Sequence, residues 1–367
     1  MPDDHEGPRY PWPQGSATGI GSMPGTNSAE AMRVIAGELP DFPHLPELPD
    51  RGPGADLTGR TASLLVDIPV EVSPRGWRLA DRPGRDLNRA RSTLSSDLDV
   101  MEEVLDGYRG LVKVQLCGPW TLAATLELPH TLNVAIADPG AVADLTASLA
   151  EGAAAHVAEL AKRLPGAQVA VQFDEPALAA VAGGEIPTAS GLSRLRPVEA
   201  EVVRERLAQV IAAVQGYTVV HSCATGVPFG LIRMAGAGAL SFDLSQLRRG
   251  EEDAIAEAAE AGLGLLIGAV PAVPDPDAGT GGPGIVAPPR GPAGPGDGSA
   301  EARRTAERII RLYHRVGLPL VTCPEQVVIT PACGLAGASP GQARAALTQC
   351  REAASMLAEL IEETGES

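Results

Sequence analysis

Short runs of apolar and β-branched residues alternate with longer amphipathic stretches along almost the whole chain. A continuous apolar run of roughly four to eight residues is typical of a buried strand, whereas apolar positions three or four apart indicate a helix. The strand pattern occurs eight times, at residues 18–22, 63–66, 111–115, 168–173, 218–221, 239–242, 264–267 and 326–330. Helical patterns cover residues 28–39, 97–108, 139–164, 198–214, 228–235, 251–261, 300–316 and 340–363.

This alternation predicts a parallel sheet, because parallel strands need a crossover connection that is usually a helix. Eight repeats favour a single (β/α)₈ TIM barrel, and a doubly wound open sheet is the alternative. Since such a barrel needs about 250 residues and the chain has 367, part of the chain must be elaboration. We assign residues 1–13 to an N-terminal extension and 14–367 to the barrel, which includes a Pro-rich loop at 40–59 and a Gly/Pro-rich insertion at 272–299.

The insertion follows the seventh predicted strand and therefore belongs to the face of the barrel where active sites lie. We expect it to be flexible, because it has few side chains that could pack a core. Two interpretations remain open for it, a lid over the site and a solvated insertion without a role.

Charge, hydropathy and cysteine content indicate the kinds of partner and the compartment of the protein. A formal net charge of −17 provides no basic surface for nucleic acid. The sequence contains no apolar run long enough for a membrane span and no secretory signal pattern at its start, so we expect a cytoplasmic protein without a membrane partner. Five scattered cysteines argue for reduced thiols rather than a disulfide framework.

Four potential metal ligands stand at the ends of predicted strands. His221 and Cys223 end the fifth strand two residues apart, so both side chains point to the same side. Asp243 ends the sixth predicted strand, and Cys333 follows the eighth. One imidazole, two thiolates and a carboxylate form a tetrahedral ligand set that Zn²⁺ accepts. The alternative is that these cysteines are ordinary core residues beside buried strands.

Four motifs resemble the C-terminal catalytic half of cobalamin-independent methionine synthase. They are residues 18–24 (Thr-Gly-Ile-Gly-Ser-Met-Pro), 172–178 (Gln-Phe-Asp-Glu-Pro-Ala-Leu), 221–223 (His-Ser-Cys) and 331–335 (Pro-Ala-Cys-Gly-Leu). The resemblance extends from about residue 14 to residue 360. It implies a (β/α)₈ barrel in which a zinc ion binds the thiol of homocysteine, and an enzyme that transfers a methyl group to that sulfur.

The resemblance also implies roles for individual residues. Zinc would be held by His221, Cys223, Asp243 and Cys333, although the family has Glu where this chain has Asp243. Coordination removes the proton of a substrate thiol, and the electron-rich ligands keep the bound sulfur nucleophilic. The substrate carboxylate would bind at the turn formed by Ile20, Gly21 and Ser22, and the ammonium would pair with the catalytic-centre residue Asp174. A second acid for the ammonium would be Glu71, with Asp67 as its rival.

The half of the site that holds the methyl donor departs from the family. Thr125 and Ala180 stand where the family has the tryptophan and glutamate that hold the pterin, and the stretch after Gly268 lacks the family's histidine. We therefore expect the donor to be a methyl-corrinoid or its carrier protein rather than methylfolate. Two other functions stay open: a zinc-containing thiol-binding or sulfur-trafficking protein, and a metal-free structural barrel.

Overall fold

A six-stranded parallel sheet forms the centre of the molecule. The computed structural model describes residues 9–272 and 297–365. The strands follow chain order across the sheet: β3 (Leu111–Cys117), β4 (Gln168–Asp174), β5 (Tyr217–Ser222), β6 (Ala239–Asp243), β7 (Gly264–Val270) and β8 (Val327–Pro331). Each corresponds to one predicted run, because a mostly apolar sequence suits a strand buried on both faces.

The helices between these strands confirm the α/β class. They are α1 (Ser28–Glu38), α2 (Leu57–Ala62), α3 (Arg85–Val104), α4 (Pro119–Thr125), α5 (Pro139–Arg163), α6 (Leu178–Gly183), α7 (Ala200–Ala213), α8 (Phe229–Met234), α9 (Glu252–Glu260), α10 (Asp297–Val316), α11 (Cys323–Gln326) and α12 (Pro340–Thr364). Side-chain caps define their starts where the sequence provides them; Asn27, Asp138 and Ser339 accept backbone hydrogen bonds at the first turns of α1, α5 and α12.

The prediction of a strand at residues 63–66 is wrong. Ser63 is the C-cap residue of α2. Leu64 and Leu65 follow in a hydrogen-bonded turn, and Leu65 is buried. A short apolar run fits a buried helix end as well as it fits a strand. A separate antiparallel hairpin follows, formed by β1 (Val70–Ser73) and β2 (Gly76–Leu79).

Two extended segments connect the outer strands of the sheet. Thr18 N donates to Ile329 O of β8 (3.1 Å), Met23 N donates to Glu47 O (2.8 Å), and Leu45 N donates to Lys113 O of β3 (2.9 Å). Residues 18–22 were predicted as a strand but form only isolated bridges. Residues 43–47 were predicted as loop and form isolated bridges as well. Pro43 and Pro46 lack N–H groups, which prevents a regular ladder on both sides of the second segment.

A small aromatic core fills the N-terminal ends of the strands. Trp12 stacks on Tyr10 (5.3 Å between ring centroids) and meets the edge of Tyr217 (5.1 Å). Its neighbours in this cluster include one residue from each of the six strands, among them the small side chains Ala170 and Ala239. The described part of the N-terminal extension, residues 9–13, is therefore packed against the sheet.

The predicted insertion at 272–299 lies outside the described residues except for its two ends. Within the described ranges, no helix combines the length and apolar content needed to cross a membrane.

Candidate active site

Three of the four predicted metal ligands come together at the carboxyl ends of β5 and β8. Cys223 directly follows β5 and Cys333 lies two residues beyond β8, with their Sγ atoms 3.3 Å apart. His221 is buried, and its Nδ1 lies 2.8 Å from Ser241 Oγ on β6. Parallel strands bring their carboxyl ends to one edge, which explains how residues so distant in sequence meet.

The two thiols share one hydrogen bond in which either sulfur can be the donor. Hydrogen bonds from Cys223 and His221 lower the pKa of Cys333 to about 4, while the bond to Cys333 raises the pKa of Cys223. Burial lowers the pKa of His221. These opposite shifts favour the thiolate form at Cys333 over that at Cys223.

Their spacing is close to what a zinc ion needs. Two sulfurs held at about 2.3 Å from a tetrahedral zinc are about 3.8 Å apart, so the observed pair would have to separate by about 0.5 Å. Among the described residues, no three His, Cys, Asp or Glu side chains already form a metal-holding arrangement. The donor types nevertheless suit zinc, and the contact with Ser241 fixes the imidazole ring as second partners of metal-bound histidines do.

The structure does not bring Asp243 into this cluster. Its Oδ1 accepts hydrogen bonds from the backbone N–H of Ser245 (2.8 Å) and from Ser245 Oγ (2.7 Å). Asp243 and Arg308 line a neighbouring cavity of about 370 Å³ rather than the cavity that contains the two cysteines. In this arrangement the carboxylate caps the turn that follows β6.

The thiol pair opens into a cavity of about 300 Å³ that contains most of the other predicted residues. Its walls include the predicted carboxylate turn, two acids and the thiol cluster, namely Ile20, Gly21, Ser22, Glu47, Asp174, His221, Cys223 and Cys333. Leu335 N donates to Ser22 O (2.8 Å), which ties the loop carrying Cys333 to the turn. One small cavity thus joins the cysteine pair to the turn and the two acids.

Two buried carboxyl groups face this cavity. Asp174 Oδ1 accepts from Gln172 Nε2 (2.7 Å), and burial, followed by repulsion from Glu47, raises the pKa of Asp174. Burial also raises the pKa of Glu47, while Arg60 opposes that effect. A cationic group entering the cavity would favour the ionised form of both acids.

Glu47, rather than the predicted Glu71, is the second acid that lines this cavity. Glu71 lies on the exposed hairpin and pairs with Arg78 (2.6 Å), and neither Glu71 nor its rival Asp67 lines the cavity. Glu47 ends the second extended segment, residues 43–47, and this placement brings it to the cavity that Glu71 does not line.

Glu175, next to Asp174, has a structural role rather than a place in the cavity. Its carboxylate accepts hydrogen bonds from the backbone N–H groups of Trp120 and Thr121 (2.9 and 2.7 Å) and from Thr121 Oγ1 (2.7 Å). It therefore closes the N-terminus of α4. Burial raises its pKa to about 7.

The fold belongs to the α/β proteins that place their sites at the carboxyl edge of a parallel sheet. Residues 16–275 match the family described as "Cobalamin-independent synthase, Catalytic domain", and the chain belongs to this family. It is accordingly a methyltransferase of the methionine-synthase type. No curated protein matches the chain.

Two solved structures are similar in fold. A B12-independent methionine synthase from Shewanella sp. W3-18-1, in complex with selenomethionine, superposes with a TM-score of 0.59 at 12% identity, covering 96% of this chain and 100% of that one. A methyltransferase from Methanosarcina mazei gives a TM-score of 0.56 at 14% identity, covering 92% of this chain and 94% of that one.

Proposed function

We propose that this protein is a zinc-dependent S-methyltransferase that activates homocysteine or a close amino-acid thiol. The observation that carries the proposal is the position of the Cys223–Cys333 pair in the same small cavity as two buried acids. Sulfur ligands suit a thiol-activating zinc, and paired carboxylates suit an ammonium group. The fold relative from Shewanella was crystallised with selenomethionine, an amino acid of the same shape as the expected product.

In this proposal His221, Cys223 and Cys333 would hold the zinc, which would activate the thiol of the substrate. When bound, zinc lowers the pKa of a thiol so that it reacts as a thiolate at neutral pH. Asp243 is the least supported ligand, because its Oδ1 is engaged by Ser245. It would have to leave that turn, or act through water, to reach the metal.

The protein residues orient the amino-acid end of the substrate. We assign the carboxylate to the turn of Ile20, Gly21 and Ser22, where glycine allows the backbone to come close. The ammonium lies between Asp174 and Glu47. Fixing both ends directs the sulfur to the cysteine pair, and this positioning is the main contribution of the chain to the rate.

We also propose that the complete fold is a (β/α)₈ barrel. Residues 16–23 and 42–47 take the places of its first two strands, and the hydrogen bonds from Thr18, Met23 and Leu45 support this assignment. The small aromatic core around Trp12 lies where the bottom of such a barrel would be.

The methyl donor is placed in a second cavity of about 490 Å³, lined in part by Trp77, Thr125 and Ala177. It adjoins the thiol cavity, since Pro176 lines one and Ala177 the other. Methylfolate turnover is expected to be slow, because Thr125 and Ala180 stand where the family has the tryptophan and glutamate that hold the pterin, and a folate nitrogen must be protonated as it leaves. A methyl-corrinoid needs no such proton, although the cobalamin-independent family name does not favour it. The cavity also contains Trp77, Asp56 and Glu127, so rapid turnover with methylfolate would point to these residues as replacements.

The test combines metal analysis with ligand binding. The full chain should purify with about one zinc and bind homocysteine, whereas Cys333→Ser should lose both properties and remain folded. Cys350→Ser is the matched control, because Cys350 is buried in α12, away from the cavity. Less than about a tenth of an equivalent of zinc in protein never exposed to chelator would contradict the proposal.

A methyl-transfer assay then separates the enzyme from the alternative. Homocysteine is supplied with methylfolate and methylcobalamin in parallel, and the methylated thiol is measured. Zinc-dependent thiol binding without any methylated product from either donor would support a thiol-binding or sulfur-trafficking role instead.

A further inference from the structure

A lysine lies fully buried beneath the amino-acid end of the cavity. Lys113 is the third residue of β3 and its exposed fraction is 0%. Its Nζ donates hydrogen bonds to Ile20 O (2.8 Å) and to Gln172 Oε1 (2.7 Å). Burying an ammonium group is costly unless it is well partnered, so its presence among the core residues calls for a physical reason.

One hydrogen-bond partner of Lys113, Gln172, also bonds to Asp174. Gln172 Nε2 donates to Ile20 O (2.9 Å) and to Asp174 Oδ1 (2.7 Å). Because Lys113 Nζ donates to the amide oxygen of Gln172, the amide NH₂ is left to face Asp174. Lys113 thereby fixes the orientation of the amide that holds the carboxylate.

The same lysine bonds to the other end of the proposed substrate site. Ile20 belongs to the turn assigned to the substrate carboxylate, and its carbonyl oxygen receives hydrogen bonds from both Lys113 and Gln172. The positive charge also offsets part of the repulsion between Asp174 and Glu47, which both face the cavity. One side chain therefore connects the two subsites that must be held at a fixed separation.

We propose that Lys113 is a positioning residue for amino-acid recognition, acting through Gln172 to hold Asp174 toward the substrate ammonium. This inference rests on the proposed function. A purely structural lysine would contribute to stability and would not change which thiols the site prefers. The distinguishing property is discrimination between thiols that carry an ammonium group and thiols that lack one.

The experiment measures calorimetric binding of two thiols to the zinc-loaded full chain. Homocysteine carries the ammonium group, and 4-mercaptobutanoate is the same thiol acid without it. Lys113→Met should weaken homocysteine binding about tenfold or more, as expected for a misaligned charge-assisted hydrogen bond. The affinity for 4-mercaptobutanoate should change by less than about threefold, because Ile20 O of the carboxylate turn keeps its hydrogen bond from Gln172 Nε2 when Lys113 is replaced.

A second pair of variants separates positioning from loss of stability. Gln172→Leu keeps the lysine but breaks its connection to Asp174, and it should lose the same discrimination as Lys113→Met. Gln326→Leu is the matched control, since Gln326 is also a buried glutamine whose amide donates to two carbonyl oxygens, those of Ala259 and Leu263 (2.8 and 2.9 Å). It should lower stability and leave discrimination unchanged.

Asp174→Asn completes a double-mutant cycle. If Lys113 acts through Asp174, adding Lys113→Met to Asp174→Asn should cause little further loss of homocysteine affinity. Folded Lys113→Met and Gln172→Leu proteins with wild-type discrimination, or fully additive losses in the double variant, would overturn the inference. Failure of the wild-type protein to bind either thiol would instead refute the proposed function itself.

Discussion

A single methyl group added at Gly334 should disturb both ends of the site at once. Gly334 follows Cys333, and a Cβ placed there would lie 2.1 Å from Ser22 Oγ and 3.3 Å from Ser22 Cβ. The φ angle of Gly334 lies outside the left-handed region, so Gly334→Ala imposes no backbone strain. Any effect must therefore come from the contact with Ser22.

The contact distances give the size of the effect. An ordinary carbon–oxygen contact begins near 3.4 Å, so Ser22 Oγ must move by about 1.3 Å or the Cys333 loop must shift. Rotating Ser22 gives up its hydrogen bond from Ala336 N (3.4 Å), while shifting the loop moves Cys333. Overpacking of this kind costs about 1 to 3 kcal/mol. Because the free protein relieves the contact by moving Ser22 or the loop, and homocysteine needs both in place, binding should weaken by up to about 5- to 150-fold.

Calorimetric titration of the zinc-loaded protein measures this loss. Gly341→Ala is the control, because nothing lies within 4 Å of a Cβ at that position in α12. In a Ser22→Ala background the added methyl meets only Cβ, so Gly334→Ala should then cost far less than it does alone. An equal cost in both backgrounds, or wild-type binding by Gly334→Ala, would refute the steric explanation.

Three further predictions follow from the fold and the proposed chemistry. Burial lowers the pKa of His156 to about 4, whereas an unfolded histidine titrates near 6.5. The free energy of unfolding should therefore fall by up to about 3 kcal/mol as the pH drops from about 6.5 to 4. Urea unfolding of the zinc-free protein should show a weaker pH dependence in His156→Gln. Trp12→Ala should lower the free energy of unfolding by about 3 to 5 kcal/mol, and an unchanged urea midpoint would mean that the aromatic core contributes little. Methylfolate should give slow or undetectable turnover beside methylcobalamin, and rapid turnover with methylfolate would show that other residues replace Thr125 and Ala180.

The six regular strands could be predicted because their runs are mostly apolar and both of their faces are buried. The first extended segment was predicted as a strand at residues 18–22, although it forms only isolated bridges. The second, residues 43–47, was predicted as loop because Pro43 and Pro46 disrupt the strand pattern. Glu47 belongs to this second segment, so its place in the cavity was not predicted.

At the site, strand ends were sufficient to bring His221, Cys223 and Cys333 together. They were insufficient for Asp243, because the hydroxyl and backbone N–H of Ser245 compete for its carboxylate, and such local bonds are invisible to spacing. Lys113 was missed for a different reason. A lysine within a strand run is ordinarily taken to face solvent, and only the tertiary structure reveals partners that make its burial tolerable.

The two ends of the site lie on parts of the fold that differ in how firmly the backbone is held. The sulfur cluster lies just beyond the ends of strands β5 and β8, which are hydrogen-bonded into the sheet, so the sheet largely sets its position. Glu47 and the turn at Ile20 to Ser22 belong instead to segments with few backbone ties, where insertions and substitutions are tolerated more readily. Relatives could therefore acquire new acceptor thiols by remodelling residues 16–58 while leaving the cysteine pair untouched, and a library confined to those positions is the natural starting point for redirecting the enzyme to other thiols.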